Sequence, residues 1–495
     1  MAKVLGILFG SILLIAATGC GGGSSTAAPT PTPPGQLFPN DQSLAQSAPV
    51  KLGTSGGNAN DLGTTVCCIG TLGSLWTAPG IANPVILSNN HVLNRSDKGV
   101  AGEAINQPMQ LACTGPSAPP LTVAHLTQGA ALKPVANEPG QCPGSTAPLC
   151  GHAPKNVDAA IAAITSGQVD LSGTILDLGP VGTTNITALP PSNVLPIPAP
   201  GVGLAVSKSG RTTGLTCSTI QSINGSFQID YENVCGDTDP PNPKPPAFTA
   251  IFTNQVAISG GSFSAGGDSG SLVVATATAR PVALLYGGNS VSTVANPILD
   301  VINAFGVNSP LSIIGGPDHA VSCAREATAS ATQAGNALAG LVPKEQQRVA
   351  VVQQRRAAQL MQDPAIKAVT VGASEDNPNE GALLVQVSGS SIPRVPQTID
   401  GVRTRLVFDA ATAAALRPSI GAGEIDRTTM VKEAHVGSLM GQPGIQGVGV
   451  SISADNPAET AISIYVVKGV AHPPIPAVID GIRTRIFEGD RFKAY

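Results

Sequence analysis

The sequence predicts a mostly β body over residues 51–315, followed by a smaller α+β region built from two copies of one unit. Three observations carry this. The 495-residue chain holds 57 Gly and 43 Pro but only 12% charged and 3% aromatic residues, which suits many short strands joined by turns. The chain opens on an apolar leader, so the body is read as exported. Finally, "PAIKAVTVGASEDNPNEGALLVQV" (Pro364 to Val387) aligns with "PGIQGVGVSISADNPAETAISIYV" (Pro443 to Val466), as "IDGVRTRLV" (Ile399 to Val407) does with "IDGIRTRIF" (Ile479 to Phe487).

The leader occupies residues 1–20. Lys3 is its positive start, "VLGILFGSILLIAA" its apolar centre and "ATGC" its close. A small-small-Cys ending resembles the bacterial lipoprotein signal, which implies lipidation of Cys20 and a membrane-anchored or secreted envelope protein. Residues 21–50 begin "GGGSSTAAPTPTPPG" and read as a tether, flexible and then semi-extended. Eight further cysteines in an exported chain favour disulfides, with Cys217 and Cys235 the candidate pair because they flank a hairpin-like stretch. Adjacent Cys67 and Cys68 point to opposite faces of a strand and need separate partners. Cys142, Cys150 and His152 cluster, but their spacing fits no standard zinc pattern, so no metal is expected. A net charge of -4 gives no reason to expect nucleic acid.

The chemistry concentrates in three segments. "SFSAGGDSGSLVV" sets Asp268 and Ser269 between glycines before an apolar run. A serine hydroxyl is a weak nucleophile until a base removes its proton, and that base must itself be oriented. "VILSNNHVLNRS" offers His91 directly after a strand-like run, and "KNVDAAIAAI" offers Asp158 just ahead of one, as a buried acceptor for an imidazole N–H requires. Asp170 lies in a turn, while His125 and His152 lack the flanking apolar strand. The glycines have their own reason: two main-chain N–H groups, those of Gly267 and Ser269, must converge on a developing oxyanion, and side chains obstruct such a turn.

These segments, in this order, resemble the chymotrypsin-like serine peptidases. "AVSKSGRTTGLTCSTI" (Ala205 to Ile220) and "ALLYGGN" (Ala283 to Asn289) resemble the bacterial branch of α-lytic protease and the streptogrisins, and the His91 segment is also similar to narrow-leaf-type trypsin-like proteins. The resemblance implies an all-β double-barrel peptidase domain, a His91–Asp158–Ser269 triad, an oxyanion hole at Gly267 and Ser269, a polypeptide substrate and no cofactor. It also implies a specificity pocket at Phe263, Tyr286, Gly287 and Gly288. Phe263 stands where an acidic residue would select Lys or Arg, so cleavage after small or apolar residues is expected. Tyr286 stands where the family has a serine supporting the aspartate, and either substitutes for it or narrows the pocket. Asp268 needs an internal partner, for which the resemblance offers Arg211. Ser207 replaces a family cysteine, leaving Cys217 to pair elsewhere, consistent with Cys235.

Beyond the body, residues 316–342 read as a helical connector, with a helix interrupted near Pro343. Repeats over 343–410 and 411–495 follow, each a helix, a β-hairpin and a third strand, with "DNP" at the turn. Each third strand carries two arginines, Arg403 with Arg405 and Arg483 with Arg485, read as a solvated edge with acidic neighbours or as an anion-binding face. The repeats could bind substrate, dock on the body or inhibit it. Oligomeric state is not legible. The leading function is a secreted, lipid-anchored serine endopeptidase; the alternative is a peptidase-fold binding protein, and an esterase would use the same atoms.

Overall fold

The structure is a computed structural model of the chain and describes residues 41–61, 69–109, 120–182, 186–232, 245–306, 310–323, 341–389, 391–409, 412 and 420–495. The leader, Cys20 and most of the tether lie outside them, as do Cys67, Cys68, Cys113 and Cys235.

The first half is β-rich from the start. Strands β1 (Thr54–Asn58), β2 (Gly70–Leu72), β3 (Ser74–Thr77) and β4 (Val85–Ser88) lead into the one-turn helix α1 (Asn90–Leu93). Then come β5 (Ala104–Gln107), β6 (Leu121–Gly129), β7 (Cys150–His152) and β8 (Ala160–Ile164). All of these but β7, which joins the second ring, form one sheet running β3-β4-β8-β6-β5-β1-β2, and β2 continues into β3 through Gly73, so the sheet closes on itself as a barrel. Leu75, Ile86, Ile105, Val123 and Ile161 fill it, each fully buried or nearly so.

A second ring follows. Strands β9 (Ala205–Gly210), β10 (Gly214–Tyr231), β11 (Phe248–Ser259), β12 (Leu272–Ala275), β13 (Pro281–Gly288) and β14 (Ser292–Pro297) order as β10-β9-β12-β13-β14-β11. β11 pairs back onto β10, and that pairing closes the ring. Helix α2 (Ile298–Ala304) and β15 (Ser312–Ile313), which adds to β3, complete the body. Closed antiparallel rings leave few exposed strand edges. The body is thus mostly β, two closed rings in sequence, as expected for residues 51–315.

Among the described residues two covalent bridges brace it, Cys142–Cys150 and Cys217–Cys323. The second corrects the expected Cys217–Cys235 pair. Cys217 sits on β10 opposite Ser207 of β9, facing the incoming segment that carries Cys323 rather than the far end of its own hairpin. Ser207 Oγ lies 3.2 Å from the Cys217 sulfur, so the serine stands against the bridge.

Of the connector, the described residues 316–323 are extended, not helical. They are bound to the body by Arg280–Asp318 (2.6 Å) and by Val321 N–H to the Thr276 carbonyl (2.8 Å). Helix α3 (Pro343–Leu360) begins at Pro343, since the first turn needs no N–H from it; the rest of the expected connector helix, 324–340, lies outside the described residues.

Helix α3 is followed by β16 (Ile366–Ala373), β17 (Gly381–Val387), β18 (Thr398–Ile399) and β19 (Val402–Phe408). Helix α4 (Ala422–Met440) is followed by β20 (Ile445–Ile452), β21 (Thr460–Val467), β22 (Val478–Ile479) and β23 (Ile482–Gly489), with β24 (Lys493–Ala494) beyond. Both sets share one strand order, β16-β17-β19-β18 and β20-β21-β23-β22, but of these eight strands β20 alone pairs with the second barrel, along β10.

The two units clasp each other reciprocally. Arg403 Nη1 donates to the Thr484 carbonyl at 2.8 Å, and Arg483 Nη1 to the Thr404 carbonyl at 3.0 Å. Both arginines are buried, each tied through Nε to its own unit's glutamate, Glu380 or Glu459. They are therefore neither a solvated edge nor an anion-binding face; only Arg405 and Arg485 keep partial exposure.

Candidate active site

The three candidate residues come from different elements that meet between the barrels. His91 lies in α1, directly after β4. Asp158 precedes β8, which pairs with β4 so that Ser88 faces Ala160. Ser269 stands in the turn before β12.

His91 and Asp158 are joined. The imidazole Nδ1 lies 2.6 Å from Asp158 Oδ2, and the His91 main-chain N–H donates to Oδ1 at 3.2 Å. Asp158 is fully buried and also accepts from the Tyr231 hydroxyl at 2.8 Å. Burial and the neighbouring carboxylate push the Tyr231 phenol well above its ordinary range, so it stays neutral and donates. Asn296 fixes the Asp158 backbone, accepting its N–H at 3.0 Å, and Asn89 donates to its carbonyl at 2.7 Å. Burial works against protonation of His91, but the charge and hydrogen bond of Asp158, with a hydrogen bond to the Tyr495 main-chain oxygen, outweigh it and raise its pKa.

The Ser269 turn is pinned from both barrels. Thr71 N–H donates to the Ser269 carbonyl at 2.7 Å, and Thr71 Oγ1 to the Gly267 carbonyl at 2.9 Å. Gly267 and Gly270 adopt φ +96° and +93°, conformations that L side chains rarely take. A Cβ at Gly270 would also lie 2.0 Å from Ser88 Oγ. Alternate N–H groups in this turn are used internally: Asp268 donates to the Ala265 carbonyl at 3.0 Å and Gly270 to Leu285 at 2.9 Å. Among the described residues, those of Gly267 and Ser269 donate to nothing. Such a pair of free donors beside a hydroxyl is what a developing oxyanion needs.

The Ser269 hydroxyl donates to the Tyr286 carbonyl at 3.1 Å, not to His91. The outer imidazole nitrogen of His91 faces the main-chain oxygen of Tyr495 at 2.9 Å. The structure thus couples His91 to Asp158 and sets Ser269 in the adjoining turn without a hydrogen bond to the imidazole.

Asp268 is fully buried, with the Lys208 ammonium 3.4 Å away and equally buried. Thr212 N–H (2.8 Å), Thr213 N–H (3.2 Å), Thr213 Oγ1 (2.7 Å) and Ala265 N–H (3.0 Å) also donate to it. Arg211 stands over the same turn, donating to Thr212 Oγ1 at 3.1 Å and attracted by the Asp268 carboxylate. Sequence reasoning missed Lys208. Its signal was a lone lysine among small residues in a strand, which calls for a buried counter-charge. It missed Tyr231 as well, for which no local pattern exists.

Tyr286 takes neither role expected of it. Its ring lies in the second barrel's core, 5.2 Å from Phe252, and among the described residues its hydroxyl has no hydrogen-bond partner. Tyr231 supplies the phenol to Asp158 instead. Phe263 is buried in the cluster that also receives Tyr495, and Gly287 and Gly288 pair with β24. His125 is exposed on β6, His152 pairs with Glu138 at 2.7 Å, and Asp170 binds its own turn through Ser172. Among the described residues no cluster of side chains could hold a metal ion, and Cys142 and Cys150 are bridged.

No protein-family model matches the chain, and no curated protein matches it. Solved structures do. A glutamic acid-specific serine protease matches at 19% identity over 53% of this chain and 100% of its own, with a TM-score of 0.31. Thermobifida fusca protease A matches at 16% identity over 54% and 99%, with a TM-score of 0.31. Cellulomonas bogoriensis chymotrypsin matches at 15% identity over 54% and 98%, with a TM-score of 0.29. About half of this chain is thus similar to chymotrypsin-like serine proteases along nearly their whole length.

Proposed function

We propose that the protein is an exported serine endopeptidase, anchored to the bacterial envelope by a lipid on Cys20. Ser269 attacks the scissile carbonyl while His91 Nε2 takes its proton. Asp158, held by Tyr231 and Asn296, keeps the imidazole in the tautomer with Nδ1–H inward and stabilises the imidazolium. The N–H groups of Gly267 and Ser269 receive the oxyanion. The imidazolium then protonates the leaving amine, and water completes the cycle by the reverse steps. The carrying observation is the buried His91–Asp158 pair at 2.6 Å, set beside a glycine turn that keeps two N–H groups unused.

A second reading, a peptidase-fold binding protein without turnover, draws on the Ser269 hydroxyl pointing to the Tyr286 carbonyl instead of His91. A fluorophosphonate probe separates the two when applied to a chain ending at Phe492, in which His91 Nε2 is free. Labelling of Ser269, at least a hundredfold slower in His91→Ala and absent in Ser269→Ala, is expected of the peptidase. An unlabelled, folded chain would favour the binding protein.

A further inference from the structure

The last strand of the second unit lies in the cleft as a peptide would. β24 pairs antiparallel with β13, Ala494 opposite Gly287 and Lys493 opposite Gly288. Tyr495 N–H donates to the Tyr286 carbonyl at 3.3 Å, the same oxygen that holds the Ser269 hydroxyl. The Tyr495 main-chain oxygen meets His91 Nε2 at 2.9 Å. With Nδ1–H turned to Asp158, Nε2 must also carry a proton to bond this acceptor oxygen, so the seated segment holds an imidazolium.

The side chain of Tyr495 is received just as specifically. Its ring packs on the cluster of Phe263, Val273 and Val282. Its hydroxyl shares a hydrogen bond with Ser264, and burial pushes the phenol up to about 12. A Cβ at Gly288 would lie 2.2 Å from that phenol oxygen, so glycine is what lets the ring enter.

The segment is anchored just upstream. Phe492 is fully buried against Phe227 (5.2 Å) and Tyr465 (5.7 Å), and its N–H donates to Gln446 Oε1 at 2.9 Å. Arg491 pairs with Asp230 at 2.8 Å. Residues 493–495 therefore hang on a fixed post beside the cleft. A tether this short gives an effective concentration of about millimolar or more, which a substrate in solution must exceed.

We propose that residues 493–495 are a built-in occupant of the substrate cleft, which holds the enzyme latent and marks its pocket as one for tyrosine. This rests on the peptidase reading for its consequence, but not for the binding itself. It replaces the sequence expectation of small or apolar residues at the cleavage site with an aromatic one, and it takes inhibition from among the roles left open for the second half.

The test is a binding measurement with an activity arm. A dye-labelled tetrapeptide of sequence Phe-Lys-Ala-Tyr is titrated into the full chain and into a chain ending at Phe492, both carrying Ser269→Ala. The shortened chain should bind at least tenfold tighter, and a peptide ending in alanine should bind it at least tenfold more weakly. Equal binding to both chains, or to neither, overturns the proposal. Full-length Tyr495→Ala, which keeps the backbone, should move in the same direction and guards against misfolding of the shortened chain. In the activity arm, with Ser269 intact, shortening should raise phosphonylation at least tenfold. Equal, rapid labelling of both chains overturns latency and leaves the peptidase reading standing. Peptide binding as expected with no labelling of either chain overturns the peptidase reading and leaves the occupant in place.

Discussion

Strands β16 and β20 occupy corresponding places in the two units, yet one is a solvated edge and the other a buried seam. Where β16 carries Ala368 and Thr370, β20 carries Gly447 and Gly449. Thr370 is exposed and Ala368 half-buried, whereas both glycines are buried. The reason is Phe227 on β10: a Cβ at Gly447 would lie 2.5 Å from its ring. Two missing side chains thus decide which copy joins the barrel's sheet. The joined copy is also the one whose last strand reaches the cleft. Of the two repeats, one alone among the described residues thus reaches His91.

Substitutions can break this comparison or sharpen it. The largest effect belongs to what the copies share. Arg403→Ala and Arg483→Ala should each cost about 3 kcal/mol, since each strips a buried carbonyl and a threonine of their donors across the clasp. Chemical denaturation of the two variants should give matched losses, with Ser269 labelling in each within twofold of the parent. A loss confined to one of them would show that the clasp is not reciprocal. Next comes what the copies do not share. Gly447→Ala overpacks Phe227 and should cost about 2 kcal/mol while speeding Ser269 labelling, because the seam steadies β20 and its Gln446, which anchors Phe492. Its mirror, Ala368→Gly, should cost below about 1 kcal/mol and leave labelling alone. Equal effects of the pair would sink the claim that the glycines select the docking copy.

The β-rich body was legible because its signals are local: short β-branched runs, turn glycines, and polar residues placed at strand ends. His91, Asp158 and Ser269 could be picked out as candidates by residue type and order, but their neighbourhood could not. Tyr231 reaches Asp158 across 73 positions from a strand whose composition gives no hint of it. Cys217 finds Cys323 across 106 positions, past a nearer cysteine, because a strand's facing side is set by the sheet and not by proximity in the chain. Tyr495 meets His91 across 404 positions. "RFKAY" is an unremarked string in the sequence, and only the docking of a whole unit gives it a role. The arginines show the same limit from the other side: charge on a strand reads as surface until a symmetric partner buries it.

The imidazole of His91 is where both halves of the account meet, and its protonation can be followed directly by NMR. Asp158 and the oxygen of Tyr495 face the ring, Tyr231 stands behind Asp158, and Asp61, raised by burial to about 6, acts at longer range. Asp61→Asn in both samples removes the other carboxylate that acts on the ring. A hydrogen bond to the charged ring favours the proton, so His91 should hold it to a higher pH in the full chain than in the chain ending at Phe492, by about one pKa unit. The seated segment is then stable at low pH and released as pH rises through the raised value. Coincident titration curves for the two chains would contradict the account.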